Sequence, residues 1–228
     1  MRRAFARRSW RAAGLLAAPL LALAVPTPAS AAPSLVSLGS FTTPTYAAAP
    51  ASEPTRVFVT EKAGRVRLIV GGVVQATPFL DLTSSTSSTD SERGLLSIAF
   101  APDYATSGKF YVYLTASGGN IEVREYTRSA SNPDAADTTG RVLISIPHTQ
   151  AANHNGGTVQ VSPDGKVWLA TGDGGGSNNQ FGNAQNPASR LGKLLRLTRA
   201  SPAHRRSSSS RRVCGTRSGS RSRRTGRS

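Results

Sequence analysis

The sequence predicts an all-β fold, and three observations carry that prediction. Between Arg56 and Thr171, short apolar or β-branched runs recur along the chain. Clusters of Gly, Pro, Asn, Asp and Ser separate them, and these are the residues that turns demand. No segment beyond the first thirty or so residues repeats its apolar positions at helical spacing. Successive short antiparallel strands build a sandwich, a barrel or a propeller, and the strand pattern alone leaves all three open.

In chain order, Met1–Ala31 reads as an export signal. Arg2, Arg3, Arg7, Arg8 and Arg11 give it a charged start, Gly14–Val25 an apolar centre, and Ala29-Ser30-Ala31 a small-residue cleavage site. The apolar run is short for a membrane span, so the mature protein is expected to be secreted, with no membrane attachment after cleavage. Arg7-Arg8-Ser9-Trp10 is a poor twin-arginine match, which favours the general secretory route. Residues 32–54 form a Pro/Ala-rich leader. A domain over residues 55–197 then opens with hairpins: Arg56–Thr60, Arg65–Val70 after an Ala63-Gly64 turn, and Val73–Gln75 after Gly71-Gly72.

The Ser/Thr-rich stretch from Asp81 to Asp90 is a loop that delivers Glu92-Arg93-Gly94 to the next strand. That strand, Leu95–Phe100, is apolar enough throughout to be buried. Lys109–Thr115 and Ile121–Thr127 alternate around a Ser117–Asn120 turn, and Arg141–Ile146 follows. Gly157–Val161 and Val167–Thr171 pair around Pro163-Asp164-Gly165, where proline presets φ and glycine accepts positive φ. Trp168, between Val167 and Leu169, is expected in the core, and His148 in a loop or on the surface. Residues 198–228 form an Arg/Ser tail holding His204 and the chain's one cysteine, Cys214, so no disulfide framework supports the fold.

The formal charge of +16 and pI near 11.5 suggest a nucleic-acid binder until the charges are located. Residues 1–31 carry five arginines and no acid, residues 198–228 carry ten arginines and no acid, and residues 32–197 carry 13 basic against 12 acidic side chains. A nucleic-acid interface places its basic patch on the folded domain. Here the domain is nearly neutral, so no specific nucleic-acid partner is expected.

The chemistry concentrates in Ala152–Leu197. His154 leaves a tight turn into Gly156-Gly157, and the hairpin returns the chain so that Asp173, in TGDGGG, can reach the same sheet end. A histidine with a carboxylate behind it makes a general base and its orienter. On spacing alone, His154 as a backbone-bonded loop residue and Asp173 as a turn cap are equally good readings. Asn183-Ala184-Gln185-Asn186 is a polar ligand shelf or a loop whose amides bond its own backbone.

The run NHNGG…PDG…TGDGGG…GNAQN…LGKLLR, with ERGLLSIAFAPDY and KFYVYLT upstream, resembles the glucose/sorbosone dehydrogenase family, soluble sugar dehydrogenases that use pyrroloquinoline quinone (PQQ). The resemblance spans roughly Phe41–Leu197. It implies a six-bladed β-propeller of which this chain supplies about the first two to two and a half blades. It also implies oxidation of an aldose at its anomeric carbon by hydride transfer to the quinone, with an external electron acceptor downstream. On that resemblance His154 is the base and Asp173 its orienter. Asn153 and Glu92 are substrate-binding candidates, standing where some sugar-oxidising members have aspartate and glutamine. The family also binds calcium, but the ligands expected lie mostly past Leu197 and none is assigned. Non-enzymatic secreted members make a carbohydrate- or protein-binding propeller the alternative function.

From Thr198 the composition changes abruptly. A disordered, polyanion-binding tail is one reading; a frameshift is the favoured one. Back-translating Arg212–Ser222 and regrouping by one base permits GLRNPFRFSF, and the family carries GLRNP soon after LGKLLR. The same regrouping at Leu197–Thr198 permits the aspartate usual after LLRL. The family's cationic clamp for the quinone carboxylates then lies beyond Leu197, and the 228-residue chain is expected to be an inactive, poorly folded fragment.

Overall fold

The computed structural model of the protein describes residues 33–197; the expected export signal and Arg/Ser tail, with His204 and Cys214, lie outside them. Among the described residues, those from Leu38 onward form one compact unit, and the fold is that of this unit. Its first sheet runs β1 (Pro44–Ala48), β2 (Arg56–Glu61), β3 (Arg65–Val70), with β4 (Val73–Val74) and β5 (Leu80–Asp81) both paired to β3. The second is β6 (Leu95–Phe100), β7 (Lys109–Thr115), β8 (Ile121–Thr127) and β9 (Arg141–Ile146). The third is β10 (Thr158–Val161), β11 (Val167–Ala170) and β12 (Leu194–Leu197). Every pairing is antiparallel, and all but that of β3 with β5 join neighbours in sequence.

The leading strands bring the sheets together, because β6 packs between β1 and β10. Sheets that repeat radially with their first strands side by side are propeller blades. The turns follow local chemistry: Gly71 and Gly72, at φ 57° and 84°, supply the two positive φ values that a tight two-residue hairpin requires.

The middle blade explains the core. Strand β7, KFYVYLT, is buried from Phe110 to Thr115 because both its faces are covered. With period two, Phe110, Val112 and Leu114 join Phe58, Val66, Leu68, Phe79, Leu95 and Ile98 between the first two blades. Tyr111 and Tyr113 point the other way, into a second core with Val123, Val159, Val167 and Leu169. Aromatic edges knit the first core: Phe58 meets Phe79 and Phe100 at centroid distances of 4.8 Å each, the former pair nearly perpendicular.

Four local readings change. The leader expected to reach Pro54 contains β1, whose existence rests on pairing with β2 and on Thr45 Oγ1, which bonds Thr60 and donates to the Leu95 carbonyl at 2.7 Å. Trp168 is half-buried on the face opposite Val167 and Leu169, as strand alternation requires. Its indole N–H donates to Ser162 Oγ at 3.2 Å, and Arg196 stacks over the ring 5.5 Å from its centroid. His148 lies in a loop but is only 2% exposed. A single helical turn, α1 (Tyr104–Ser107), buries the Tyr104 ring against Phe100, and burial pushes its hydroxyl pKa up to about 12.

Candidate functional site

Two loops carry the site: residues 147–157, joining β9 to β10, and residues 171–193, joining β11 to β12. The first is pinned from the middle blade. The Tyr113 hydroxyl donates to the Asn155 carbonyl at 2.6 Å, and the Asn155 side chain, 1% exposed, donates to the Ala152 carbonyl at 2.8 Å. Burial raises the Tyr113 pKa, so this hydroxyl stays a donor at any physiological pH. The second loop passes so close that a Cβ on Gly172 would overlap the His154 carbonyl oxygen. Only glycine permits that approach.

His154 adopts φ 56°, a left-handed conformation that costs a non-glycine residue about 1–2 kcal/mol. Two carboxylates hold it there. Glu92 Oε2 accepts the His154 backbone N–H at 2.5 Å, and Asp173 Oδ1 lies 2.8 Å from His154 Nδ1. The His154 hydrogen bond, followed by the Gly175 N–H at 3.3 Å, holds the Asp173 pKa below the usual carboxylate range. An ionised Asp173 can only accept, so Nδ1 carries the proton and Nε2 of the neutral ring keeps its lone pair. The His154 side chain is 41% exposed, which leaves that lone pair open to a ligand.

The four residues singled out from the sequence therefore converge. Asn153 Oδ1 accepts the Gly176 N–H at 3.3 Å and ties the two loops. Glu92 Oε1 and Asn153 Nδ2 have no protein partner among the described residues.

Sequence reasoning missed the supports. Arg93 Nη2 donates to the His148 and Ala151 carbonyls at 3.2 and 2.9 Å while its Nη1 lies 3.6 Å from Asp90. Glu92 and Arg93, adjacent in the middle blade's leading loop, thus grip the His154 loop at three points. The signal was in the ERGLL motif, read only for its glutamate. The supposed shelf is a self-bonded loop: Asn183 Nδ2 donates to the Asp173 carbonyl at 2.9 Å, and Asn186 Oδ1 accepts the Ala188 N–H. Lys193 Nζ gathers the carbonyls of Asn183, Ala184 and Leu191 at 2.9–3.0 Å.

An anionic quinone needs free cations. Around the site, Lys193 spends its ammonium on carbonyls, Arg93 divides its guanidinium between carbonyls and the Asp90 carboxylate, and Lys62 donates to the Asp90 carbonyl. The described residues fit a base and its orienter; for the quinone carboxylates Arg93 and Lys193 are already engaged, and Arg190, on the loop that carries Asp173, is a guanidinium with no protein partner among the described residues. Among them, too, no group of three His, Cys, Asp or Glu residues could hold a metal ion, and no helix is long and apolar enough to cross a membrane.

The chain is similar to known proteins in sequence and in fold. Human hedgehog-interacting protein is 35% identical over 133 residues, covering 52% of this chain and 19% of its own length. The HIPL2 protein of Arabidopsis thaliana is 29% identical over 162 residues, 54% of this chain and 23% of that one. Among solved structures, the PQQ-bound aldose sugar dehydrogenase of Streptomyces coelicolor superposes with a TM-score of 0.59 at 24% identity, over 70% of this chain and 46% of that one. An oxidoreductase (glucose dehydrogenase) of Thermus thermophilus gives 0.53 at 28%, over 63% and 41%. The chain thus spans under a quarter of those curated relatives and under half of those solved chains. The family model for glucose/sorbosone dehydrogenases matches residues 42–208, and the chain, a partial six-bladed β-propeller, belongs to that family.

Proposed function

We propose that this chain carries the proton-accepting half of a secreted, PQQ-dependent aldose dehydrogenase. The observation that carries the reading is the 2.8 Å contact between His154 Nδ1 and Asp173 Oδ1, with Nε2 left bare. Oxidation of an aldose at its anomeric carbon removes a proton from the hydroxyl and a hydride from the carbon, leaving a lactone. His154 Nε2 takes the proton. Asp173 stabilises the imidazolium that results, and Glu92 and Asn153 orient sugar hydroxyls. The quinone, when bound, supplies the hydride acceptor.

A second part of this reading rests on the engagement of Arg93 and Lys193 with backbone carbonyls. The quinone's anchors belong to sequence encoded past Leu197 in the shifted frame, and the 228-residue chain does not turn over. Resequencing across the Leu197 codon should find an extra or missing base followed by a continuous open frame. The protein read in that frame should oxidise aldoses with added PQQ, and His154→Ala should lower its turnover by about two to four orders of magnitude. Retained turnover in that variant removes His154 from the mechanism. The similarity to hedgehog-interacting protein favours a second reading, a secreted propeller that binds without catalysis. Saturable sugar or protein binding with no oxidation in the shifted-frame protein would select it.

A further inference from the structure

An internal repeat, remote from the His154–Asp173 pair in its chemistry, places one hydroxyl in each sheet. Thr45, Ser97 and Thr158 stand at the same spacing before Pro50, Pro102 and Pro163, and each lies in the leading strand of its sheet. The three prolines and their strands line one hollow of about 440 Å³, as copies of a motif set around a common axis do. The first two hydroxyls reach across to the next sheet. Thr45 Oγ1 donates to the Leu95 carbonyl at 2.7 Å. Ser97 Oγ donates to the Gly157 carbonyl and accepts the Val159 N–H at 3.0 Å. Each acceptor lies just upstream of the next hydroxyl, and the register shift between Leu95 and Ser97 absorbs the one extra residue, Leu96. Thr158 is the third copy and the exception: it is exposed, and its hydroxyl has no partner among the described residues.

The residues in register with these hydroxyls show the same contrast. Ser97, Tyr113 and Val123 form a row across the middle blade on the face that the third sheet covers, and each is at most 1% exposed. Thr158, Ala170 and Leu194 form the corresponding row in the third sheet, where Leu194 is 69% exposed. Trp168 shares their face by strand alternation. We propose that this face of the third sheet is a docking surface for a further sheet of the same kind, whose leading strand lies beside β10 and offers a main-chain carbonyl to the Thr158 hydroxyl. The repeat identifies the occupant, because the second sheet meets the first, and the third meets the second, through this same contact. That sheet is encoded past Leu197 in the shifted frame, so its docking rests on the reading proposed above. The solved Streptomyces coelicolor chain, of which this chain covers 46%, has length for it.

The test compares urea unfolding of the 228-residue chain with that of the protein made by restoring the frame after the Leu197 codon. Thr45→Val and Ser97→Ala remove hydroxyls already bonded within the short chain, and each should shift the unfolding equilibrium of both proteins about fivefold. Thr158→Val should leave the short chain unchanged and shift the restored protein about fivefold, with Thr158→Ser recovering the loss. Leu194→Ala should divide the two proteins in the same way with a larger shift, about tenfold or more. Thr158→Val at no cost in the restored protein overturns the docking surface, whatever Leu194→Ala does. An equal cost of Thr158→Val in the short chain overturns it too, as does a restored protein no more stable than the short one. Where the short chain unfolds without a cooperative transition, the restored-protein arms decide alone. Aldose oxidation is scored separately: a stabilised restored protein that oxidises no aldose refutes the catalytic reading and leaves this surface standing.

Discussion

His148 and His154 share one loop and meet opposite surroundings. His154 is half in solvent, held at φ 56° and bonded through Nδ1 to a carboxylate; His148 is sealed from solvent and bonded through neither nitrogen. The difference arises from what each loop position packs against. At His154 the neighbouring strand end supplies Gly172, whose missing side chain lets the backbones touch and brings Asp173 alongside. At His148 no side chain of the described residues bonds either ring nitrogen. A histidine's chemistry here is set by its neighbour across the loop, and each neighbour can be removed.

The largest effect should come from Gly172→Ala. Its methyl group has nowhere to go but into the His154 carbonyl, and relief requires the two loops to part. A loss of about 2–4 kcal/mol in urea unfolding is expected, with loss of the His154–Asp173 contact; a loss under about 0.5 kcal/mol, the range of an ordinary surface substitution, would mean that the loops are not as closely apposed as the structure has them. Next comes Arg93→Ala, which removes two charge-assisted bonds to backbone carbonyls at once. About 2 kcal/mol is expected, and Arg93→Lys should not restore it, because an ammonium lacks the planar fork. Faster amide exchange should be confined to residues 148–154. Uniform loosening of all three blades would contradict the strap.

The core and the catalytic pair were legible in the sequence for the same reason. Both follow from short-range periodicity: strict alternation in KFYVYLT sorted its side chains between two cores, and the PDG turn fixed which strand end Asp173 would reach. What escaped depends on partners distant in sequence. Strand β1 has little apolar alternation and exists because β2 and Leu95 take its hydrogen bonds. The burial of His148 has no counterpart in the local sequence pattern. Trp168 was assigned inward by its hydrophobicity, whereas its register with Arg196 places it on the other face. For the polar amides of 183–186 the sequence left a ligand shelf and a self-bonded loop open, and the bonds of Asn183 and Asn186 to loop backbone decide for the second.

A smaller effect concerns pH. The folded pKa of Asp173 lies below its unfolded value, so its contribution to stability is fully present above the unfolded pKa, about 3.9. That contribution is lost as pH falls through the folded value. The stability difference between the parent and Asp173→Asn should therefore be present at neutrality and shrink below about pH 4. A difference that grows as the pH falls below about 4 would mean that the carboxylate is destabilised by folding.

The most direct test of the account is the protonation state of His154 itself. In the ¹⁵N-histidine-labelled chain at a pH where the ring is neutral, two-bond correlations should report a proton on Nδ1 and an unprotonated Nε2, and Asp173→Asn should abolish that bias. A proton on Nε2 in the parent, or the same tautomer with and without Asp173, would contradict the assignment of His154 as a base oriented by Asp173.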